Sequence, residues 1–257
     1  LDRAFAGANV VVHLAARSSV PRSVAHPVAA HEVNATGTLR VLEASRRAGG
    51  LHVIVASSSS VYGANQTLPK HEDLATRPVS PYAATKLATE SYTLAWGHAY
   101  DLPVLALRFF NIFGPRQPPL HAYAAAIPSF LAAAFRGDPL PVHGDGTQSR
   151  DFTYVATVVD VLARAILDRT SHPSPVNLAF GTSVSLLEII GELERILGRS
   201  LAIQHQPLRI GDVSRSQADA STLQQLFPDV LPTSLAEGLE ATVNWFEEAR
   251  PWERPTG

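Results

Sequence analysis

Tyr82 and Lys86 lie four positions apart in Ser80-Pro81-Tyr82-Ala83-Ala84-Thr85-Lys86, with neither proline nor glycine between them. On a helix such a pair projects from one face. A phenol titrates near pH ~10 in water, and a neighbouring ammonium favours its ionised form, so the pair has the makings of a proton-transfer site. A serine run, Ser57-Ser58-Ser59-Ser60, closes an apolar stretch upstream and offers a hydroxyl to complete a relay. Taken alone, Tyr and Lys at this spacing also describe a solvated helix face, and a serine run describes a polar strand-to-loop turn. The proline before Tyr82 and the elements around it favour the chemical reading.

Those elements are legible from the pattern of apolar residues. Residues 8–16 (ANVVVHLAA) read as a strand buried on both faces, as in a parallel sheet. Residues 27–48 carry apolar positions at helical spacing (Val28, Ala35, Leu39, Leu42) and stop at Gly49-Gly50. A second buried strand spans 51–56, with the serines at its carboxyl end; a polar loop spans 64–81; a helix spans 82–100; a third strand spans 102–110. Strand, helix, strand, helix, strand implies right-handed crossovers and a parallel sheet, whose ligands bind beyond the carboxyl ends of the strands. Ala15-Ala16, Ser57-Ser58 and Phe110-Asn111 share that rim. From Gly114 onward prolines and short elements suggest a smaller second domain, with 174–181 returning as a strand to the first. Ser185 and Glu188 form a capping box that opens a helix running to about Gly198.

The bulk properties narrow the function classes. With 257 residues, 46% hydrophobic and 17% charged, the chain is an ordinary globular protein with room for one large or two modest domains. A formal net charge of -2 gives no electrostatic reason to expect nucleic acid or an anionic membrane as partner. The absence of cysteine removes disulfides, thiolate metal sites and thiol nucleophiles and suits the cytoplasm. The ten histidines are dispersed with no metal-ligand spacing, so no metal is expected. No apolar stretch is long enough to span a membrane. A sequence that starts at Leu1 and contains no methionine reads as a fragment or processed product.

Eight segments in order, VVVHLAA (10–16), NATGTLR (34–40), SSSSVYG (57–63), SPYAATK (80–86), RFFNIFGPRQ (108–117), YAAAIP (123–128), GDGTQSRDF (144–152) and RIGDVSRSQAD (209–219), resemble the extended short-chain dehydrogenase/reductase family, in particular its nucleotide-sugar 4-epimerases. The resemblance implies an α/β fold, a Rossmann-like doubly wound parallel sheet with its N-terminal strands missing, and a smaller C-terminal substrate-binding domain. It places a partial NAD-binding domain at 1–112, with 150–181 returning to it, and a nucleotide-sugar domain at 113–257. The family's glycine fingerprint and the acidic residue for the adenosine ribose have no counterpart in this sequence. The adenosine end of the cofactor site is therefore expected to lie outside it, along with the choice between NAD and NADP. The sequence alone is expected to bind NAD weakly.

By resemblance, Ser58, Tyr82 and Lys86 form the catalytic triad. Tyr82 exchanges a proton with the sugar O4 hydroxyl while NAD exchanges a hydride with C4. Lys86 holds the phenol's proton affinity down and binds the nicotinamide ribose, and Ser58 relays the proton. The cofactor lies against Leu14, Ala15, Ala16, Asn34, Ser57 and Phe109 as well as Tyr82 and Lys86. The UDP-sugar meets Ser58, Tyr82, Asn111, Ala125, Ala126, Val142, His143, Arg150, Arg209, Asp212 and Ser216. Ala15 and Ala16 equally suit a crowded strand end, Asn34 a local cap, and His143 an ordinary loop. Related sugar dehydratases carry Asp and Glu in the two positions after Ser58, and related decarboxylases carry Glu in the second. Ser59 and Ser60 stand there instead, which argues against both reactions. The small Ser216 leaves space at the sugar's C2 and points to an N-acetylhexosamine, although it also fits a plain loop serine. The alternatives are a net reductase or dehydrogenase using the same triad, a non-catalytic nucleotide sensor, or an inert fragment. A homodimer through the helices at 27–48 and 82–100 is expected by analogy.

Overall fold

The computed structural model describes residues 1–119, 124–207 and 214–253. In chain order the first elements are α1 (Asp2–Phe5), β1 (Val10–His13), α2 (Val20–Ala25), α3 (Pro27–His31), a π-helical turn (Glu32–Thr36), α4 (Gly37–Arg47), β2 (His52–Ser58), a 3-10 turn (Ser59–Tyr62), α5 (Pro81–Tyr100), β3 (Val104–Phe109) and β4 (Asn111–Phe113). There follow α6 (Ala126–Arg136), β5 (Leu140–His143), β6 (Ser149–Arg150), β7 (Phe152–Tyr154), α7 (Val155–Leu167), β8 (Val176–Leu178), β9 (Val184–Ser185), α8 (Leu186–Leu197), β10 (Ile203–Gln206), α9 (Ser221–Leu226) and α10 (Leu235–Ala249).

The chain divides into two units. The first comprises Leu1–Phe110, Val159–Ala179 and Ala218–Val230. Its parallel sheet has the order β1-β2-β3-β8. The apolar run of β2 makes it the interior strand, paired with β1 from Val10↔His52 to His13↔Val55 and with β3 out to Ser58↔Phe109. Val53, Ile54 and Val55 are fully buried, and Val41 and Leu42 of α4 join Val53, Val55, Val104 and Ala106 in one apolar cluster. The return strand β8 pairs with β3, from Leu107↔Val176 to Phe109↔Leu178. Burial of this apolar area, at about 25 cal/mol per Å², is the main force holding the sheet to its helices.

Three features differ from the sequence expectation. All four residues of β1 are only half-buried, because β2 is its one strand neighbour among the described residues. The helix expected over 27–48 is broken into α3, the π-helical turn and α4. The segment Ala218–Val230, assigned by sequence to the second domain, belongs with the first unit; Ala218 bridges to Lys70 and the Asp219 amide donates to the Lys70 carbonyl at 2.8 Å.

The second unit comprises Asn111–Val158, Phe180–Gln217 and Leu231–Gly257. It has short paired strands, β4 with β7 and β5 with β10 in parallel and β6 with β9 antiparallel. Its core gathers apolar residues of α6, α8 and α10, among them Phe130, Leu131, Ile189, Leu193, Leu239 and Phe246. The capping box of α8 is formed as expected: Ser185 accepts from the Glu188 amide, the Glu188 carboxylate accepts from the Ser185 amide, and Gly198 ends the helix in the left-handed region.

Candidate active site

The start of α5 is sharply defined. Ser80 Oγ accepts from the Ala83 amide at 3.1 Å, and Pro81 opens the helix, where its missing N–H costs nothing. Tyr82 therefore sits in the first turn. Its amide donates to Ser23 Oγ at 2.9 Å and its carbonyl accepts from Thr85 Oγ1 at 2.8 Å, which fixes its backbone from both sides. The end of β2 meets this helix face, and α5 residues at intervals of four hold it. The Tyr82 phenol comes near the Ser58 hydroxyl, Lys86 Nζ donates to the Ala56 carbonyl at 2.7 Å, and Glu90 Oε2 accepts from Ser57 Oγ at 2.8 Å. Ser58, Tyr82 and Lys86 are thus brought together. Ser58 Oγ also accepts from the Ser60 amide at 3.2 Å, capping the 3-10 turn. The turn ends at Gly63 with φ +47, where a Cβ would fall 1.9 Å from the Arg77 carbonyl oxygen, so only glycine fits.

The electrostatics depart from expectation in one respect. Burial strips water from the Lys86 ammonium and brings its pKa down to about 8, so it is still charged at neutral pH. Burial also pushes the Tyr82 phenol up, and the neighbouring Ser58 hydroxyl pulls it part of the way back. His13, at the end of β1, is driven towards its neutral form by burial and then by the Lys86 charge, and its Nε2 lies 3.1 Å from Thr38 Oγ1. The Ser60 hydroxyl is buried with no hydrogen-bond partner among the described residues.

The residues expected at the cofactor divide into two sets. Leu14, Ala15 and Ala16 follow the carboxyl end of β1; Leu14 and Ala15 are exposed, and the adjoining Arg17 backbone is clamped by Asn34, whose Oδ1 accepts from the Arg17 amide at 2.7 Å. Asn34 Nδ2 donates to Thr85 Oγ1 at 2.9 Å and to the Arg17 carbonyl at 3.3 Å. Asn34 is thus a staple from the π-helical turn to the rim loop and the first turn of α5, and it is neither a free polar contact nor a simple cap. The Ser57 hydroxyl is likewise committed, to Glu90, which leaves its backbone for any ligand. Phe109 ends β3 in register with Ser58. The residues present fit the nicotinamide end of NAD: exposed Leu14 and Ala15 and half-buried Ala16 stand at one strand end, and Lys86 has spent one of its three N–H donors on Ala56, leaving two for ribose hydroxyls.

In the second unit, Asn111 opens β4; its amide donates to the Asp151 carbonyl at 3.1 Å and its Nδ2 to the same oxygen at 3.3 Å. Arg150, in β6, adjoins this fully buried Asp151, whose carboxylate accepts from the Gly181 amide and Thr182 Oγ1, each at 3.0 Å. Ser216 is buried and its amide donates to the Ser149 carbonyl at 3.1 Å, which places it beside Arg150's strand. Ala125 caps the start of α6 and is exposed, with Ala126 the first helical residue. The Val142 side chain is fully buried in the core, so any ring contact there is through its backbone. His143 Nδ1 lies 2.9 Å from the Pro207 carbonyl. Arg209 and Asp212 lie outside the described residues.

Residues 1–179 match the family described as the NAD dependent epimerase/dehydratase family. The chain belongs to this family. A UDP-glucose 4-epimerase of Mycolicibacterium smegmatis is 36% identical, over 92% of this chain and 75% of that protein. The structure of a UDP-N-acetylglucosamine 4-epimerase from Methanobrevibacter ruminantium, in complex with UDP-N-acetylmuramic acid, is 34% identical with a TM-score of 0.91, covering 96% of this chain and 79% of that one. A UDP-glucuronic acid 4-epimerase from Bacillus cereus, in complex with UDP-glucuronic acid and NAD, is 31% identical with a TM-score of 0.86, covering 96% of this chain and 78% of that one.

Within this epimerase/dehydratase fold, the sequence reading missed Glu90, Arg108, Tyr62 and Asn177, which form a buried network behind Ser57. One signal for it stood in the sequence. Glu90 continues the Tyr82–Lys86 interval by another four positions, and a carboxylate on a helix face that meets a buried strand needs a partner.

Proposed function

We propose that this protein catalyses the NAD-dependent 4-epimerisation of a UDP-hexose or UDP-N-acetylhexosamine through a 4-keto sugar. The observation that carries the reading is the meeting of Ser58, Tyr82 and Lys86 where the end of β2 packs on α5, with Lys86 Nζ bonded to the Ala56 carbonyl. A phenol beside a hydroxyl, with a buried ammonium a turn away, moves a proton to and from a substrate alcohol. Bound NAD supplies the acceptor and donor of the hydride. Tyr82 takes the alcohol proton and returns it, Ser58 orients the phenol, and Lys86 presents N–H donors at the strand end. Ser59 and Ser60 supply no carboxylate for elimination of water or loss of CO2.

Asn111 and Arg150 suit the diphosphate, since guanidinium forks match phosphate oxygens, with Arg209 and Asp212 completing the nucleotide site. The small, buried Ser216 favours an N-acetylhexosamine over an unsubstituted hexose. No helix among the described residues is long and apolar enough to cross a membrane; we propose a cytoplasmic location on the ground that the sequence carries no cysteine. Val28, Val33, Tyr92 and Tyr100 are exposed apolar residues of the helical segments proposed to pair in a homodimer.

The test is a panel of UDP-glucose, UDP-N-acetylglucosamine and UDP-glucuronate, given to the NAD-loaded protein, with products followed by NMR and NADH by absorbance. The 4-epimer without net NADH is the expected result. A product differing by two electrons, with stoichiometric change in the cofactor, would establish the reductase alternative and overturn the proposal.

A further inference from the structure

Glu90 has no part in the proton transfer proposed above, yet it continues the same helix stripe. It forms a bidentate pair with Arg108 of β3: Nη2 donates to Oε1 at 2.7 Å and Nε to Oε2 at 2.9 Å. The Oε2 atom also accepts from Ser57 Oγ at 2.8 Å. On the far side, Arg108 Nη1 donates to Tyr62 Oη at 2.9 Å, and Tyr62 Oη donates to Asn177 Oδ1 at 2.7 Å. These five residues are each 3% exposed or less. Burial pushes the Tyr62 phenol up to about 12, so it stays neutral and keeps its proton for Asn177.

A buried ion pair is a poor way to stabilise a fold. Its desolvation offsets most of its Coulomb energy, and a well-packed apolar pair of the same volume often does as well. What the charged pair supplies and an apolar pair does not is direction, a fixed acceptor for one hydroxyl. That hydroxyl belongs to Ser57, whose neighbour in the chain is Ser58. With Ser57 anchored on Glu90 and Lys86 holding the Ala56 carbonyl, the carboxyl end of β2 is fixed against the face of α5 that carries Tyr82. The orientation of Ser58 Oγ follows from the backbone so fixed.

We propose that Glu90 and Arg108 are positioning residues of the proton relay, which act through Ser57 to hold Ser58 beside Tyr82. This rests on the proton-transfer reading of Tyr82. The Tyr82 side chain faces Ser58 of β2, with Lys86 next on its own helix and His13 of β1 within reach of the Lys86 charge.

The test compares Ser57→Ala, Glu90→Gln and the double variant Glu90→Leu/Arg108→Met in the NAD-loaded protein. Removing both charges together avoids the unpaired Arg108 charge that Glu90→Gln leaves buried, so kcat of Glu90→Gln is read per folded protein, with the folded fraction taken from circular dichroism. The double variant and Ser57→Ala are expected to keep the wild-type fold by circular dichroism, to lower kcat by about tenfold or more, and to leave KM for the UDP-sugar within about twofold, as misplacement of a reacting group does. Glu90→Gln keeps an acceptor for Ser57 and is expected within about threefold of wild-type kcat. The Tyr82 phenol, followed by NMR of ring-labelled tyrosine, should titrate higher in Ser57→Ala and the double variant and unchanged in Glu90→Gln, because the neighbouring Ser58 hydroxyl opposes the effect of burial. Wild-type kcat and Tyr82 titration in a folded double variant would show the pair to be structural only and overturn the proposal. A wild-type protein that converts no UDP-sugar would instead refute the functional reading, while the Tyr82 titration would still decide the positioning role.

Discussion

The two sets of site residues are built in opposite ways. In the first unit, Tyr82, Lys86 and Glu90 repeat every four residues along a long, capped helix, and each meets the end of a buried strand through its side chain. In the second unit, Asn111, Arg150 and Ser216 sit on strands of two or three residues or beside them, and main-chain bonds do most of the holding, from the Asn111 amide to Asp151 and from the Ser216 amide to Ser149. A helix packed on a sheet fixes side chains to within fractions of an ångström, as proton transfer requires. Short strands fix the backbone and leave side chains to adapt, which suits recognition and tolerates change. Substitutions in the first set should therefore act on turnover and those in the second on substrate preference.

The largest expected effect breaks that division by touching stability as well. Lys86 is 5% exposed and its pKa is lowered by burial from 10.5 to about 8. A shift of that size corresponds to about 3 kcal/mol of destabilisation while the group is charged in both states. Above pH 8 the folded chain gives up a proton that the unfolded chain keeps, so this cost is present in full below pH 8 and fades as pH rises. Lys86→Met should accordingly lose turnover yet resist urea better than wild type at pH 7, with the advantage shrinking at pH 10. Equal urea midpoints at pH 7 would mean that the ammonium is not desolvated.

Tyr82→Phe sharpens the comparison from within the first set. Turnover should fall by about 100-fold or more, the usual loss for a missing general base, with UDP-sugar affinity by calorimetry unchanged. Near-wild-type turnover would remove Tyr82 from the chemistry.

In the second set, Ser216→Tyr should cost about 1–3 kcal/mol against an acetamido group through overpacking, a loss of roughly 5- to 150-fold in kcat/KM for UDP-N-acetylglucosamine relative to UDP-glucose. Because Ser216 is itself buried, the folded fraction must be measured beside the ratio. An unchanged ratio would show that Ser216 does not gate the sugar. The smallest effect is expected at Ser185→Ala, which deletes the exposed cap of α8. It should lower stability by about 1 kcal/mol by thermal unfolding and leave kcat of the folded protein as it was.

What could be read in advance depended on local rules. The interval from Tyr82 to Lys86, the Ser185–Glu188 capping box and the apolar run of β2 each follow from periodicities and caps a few residues long, and all appear where the sequence placed them, while the helix expected from Tyr82 opens one residue earlier, at Pro81 behind the Ser80 cap. The eight family segments added the role of Ser58, which no spacing rule supplies. Other features were decided by partners distant in the chain. Ser57 looked like a rim residue until Glu90, 33 positions on, took its hydroxyl, and Tyr62 finds Asn177 across 115 positions. Asn34 becomes a staple only because Arg17 and Thr85 arrive on either side of it. The half-burial of β1, the return of Ala218–Val230 to the first unit and the upward push on the Tyr82 phenol have the same origin. A residue's type and spacing say which bonds it is able to make, and which of them it makes is settled by whatever the folded chain packs against it once water has been displaced.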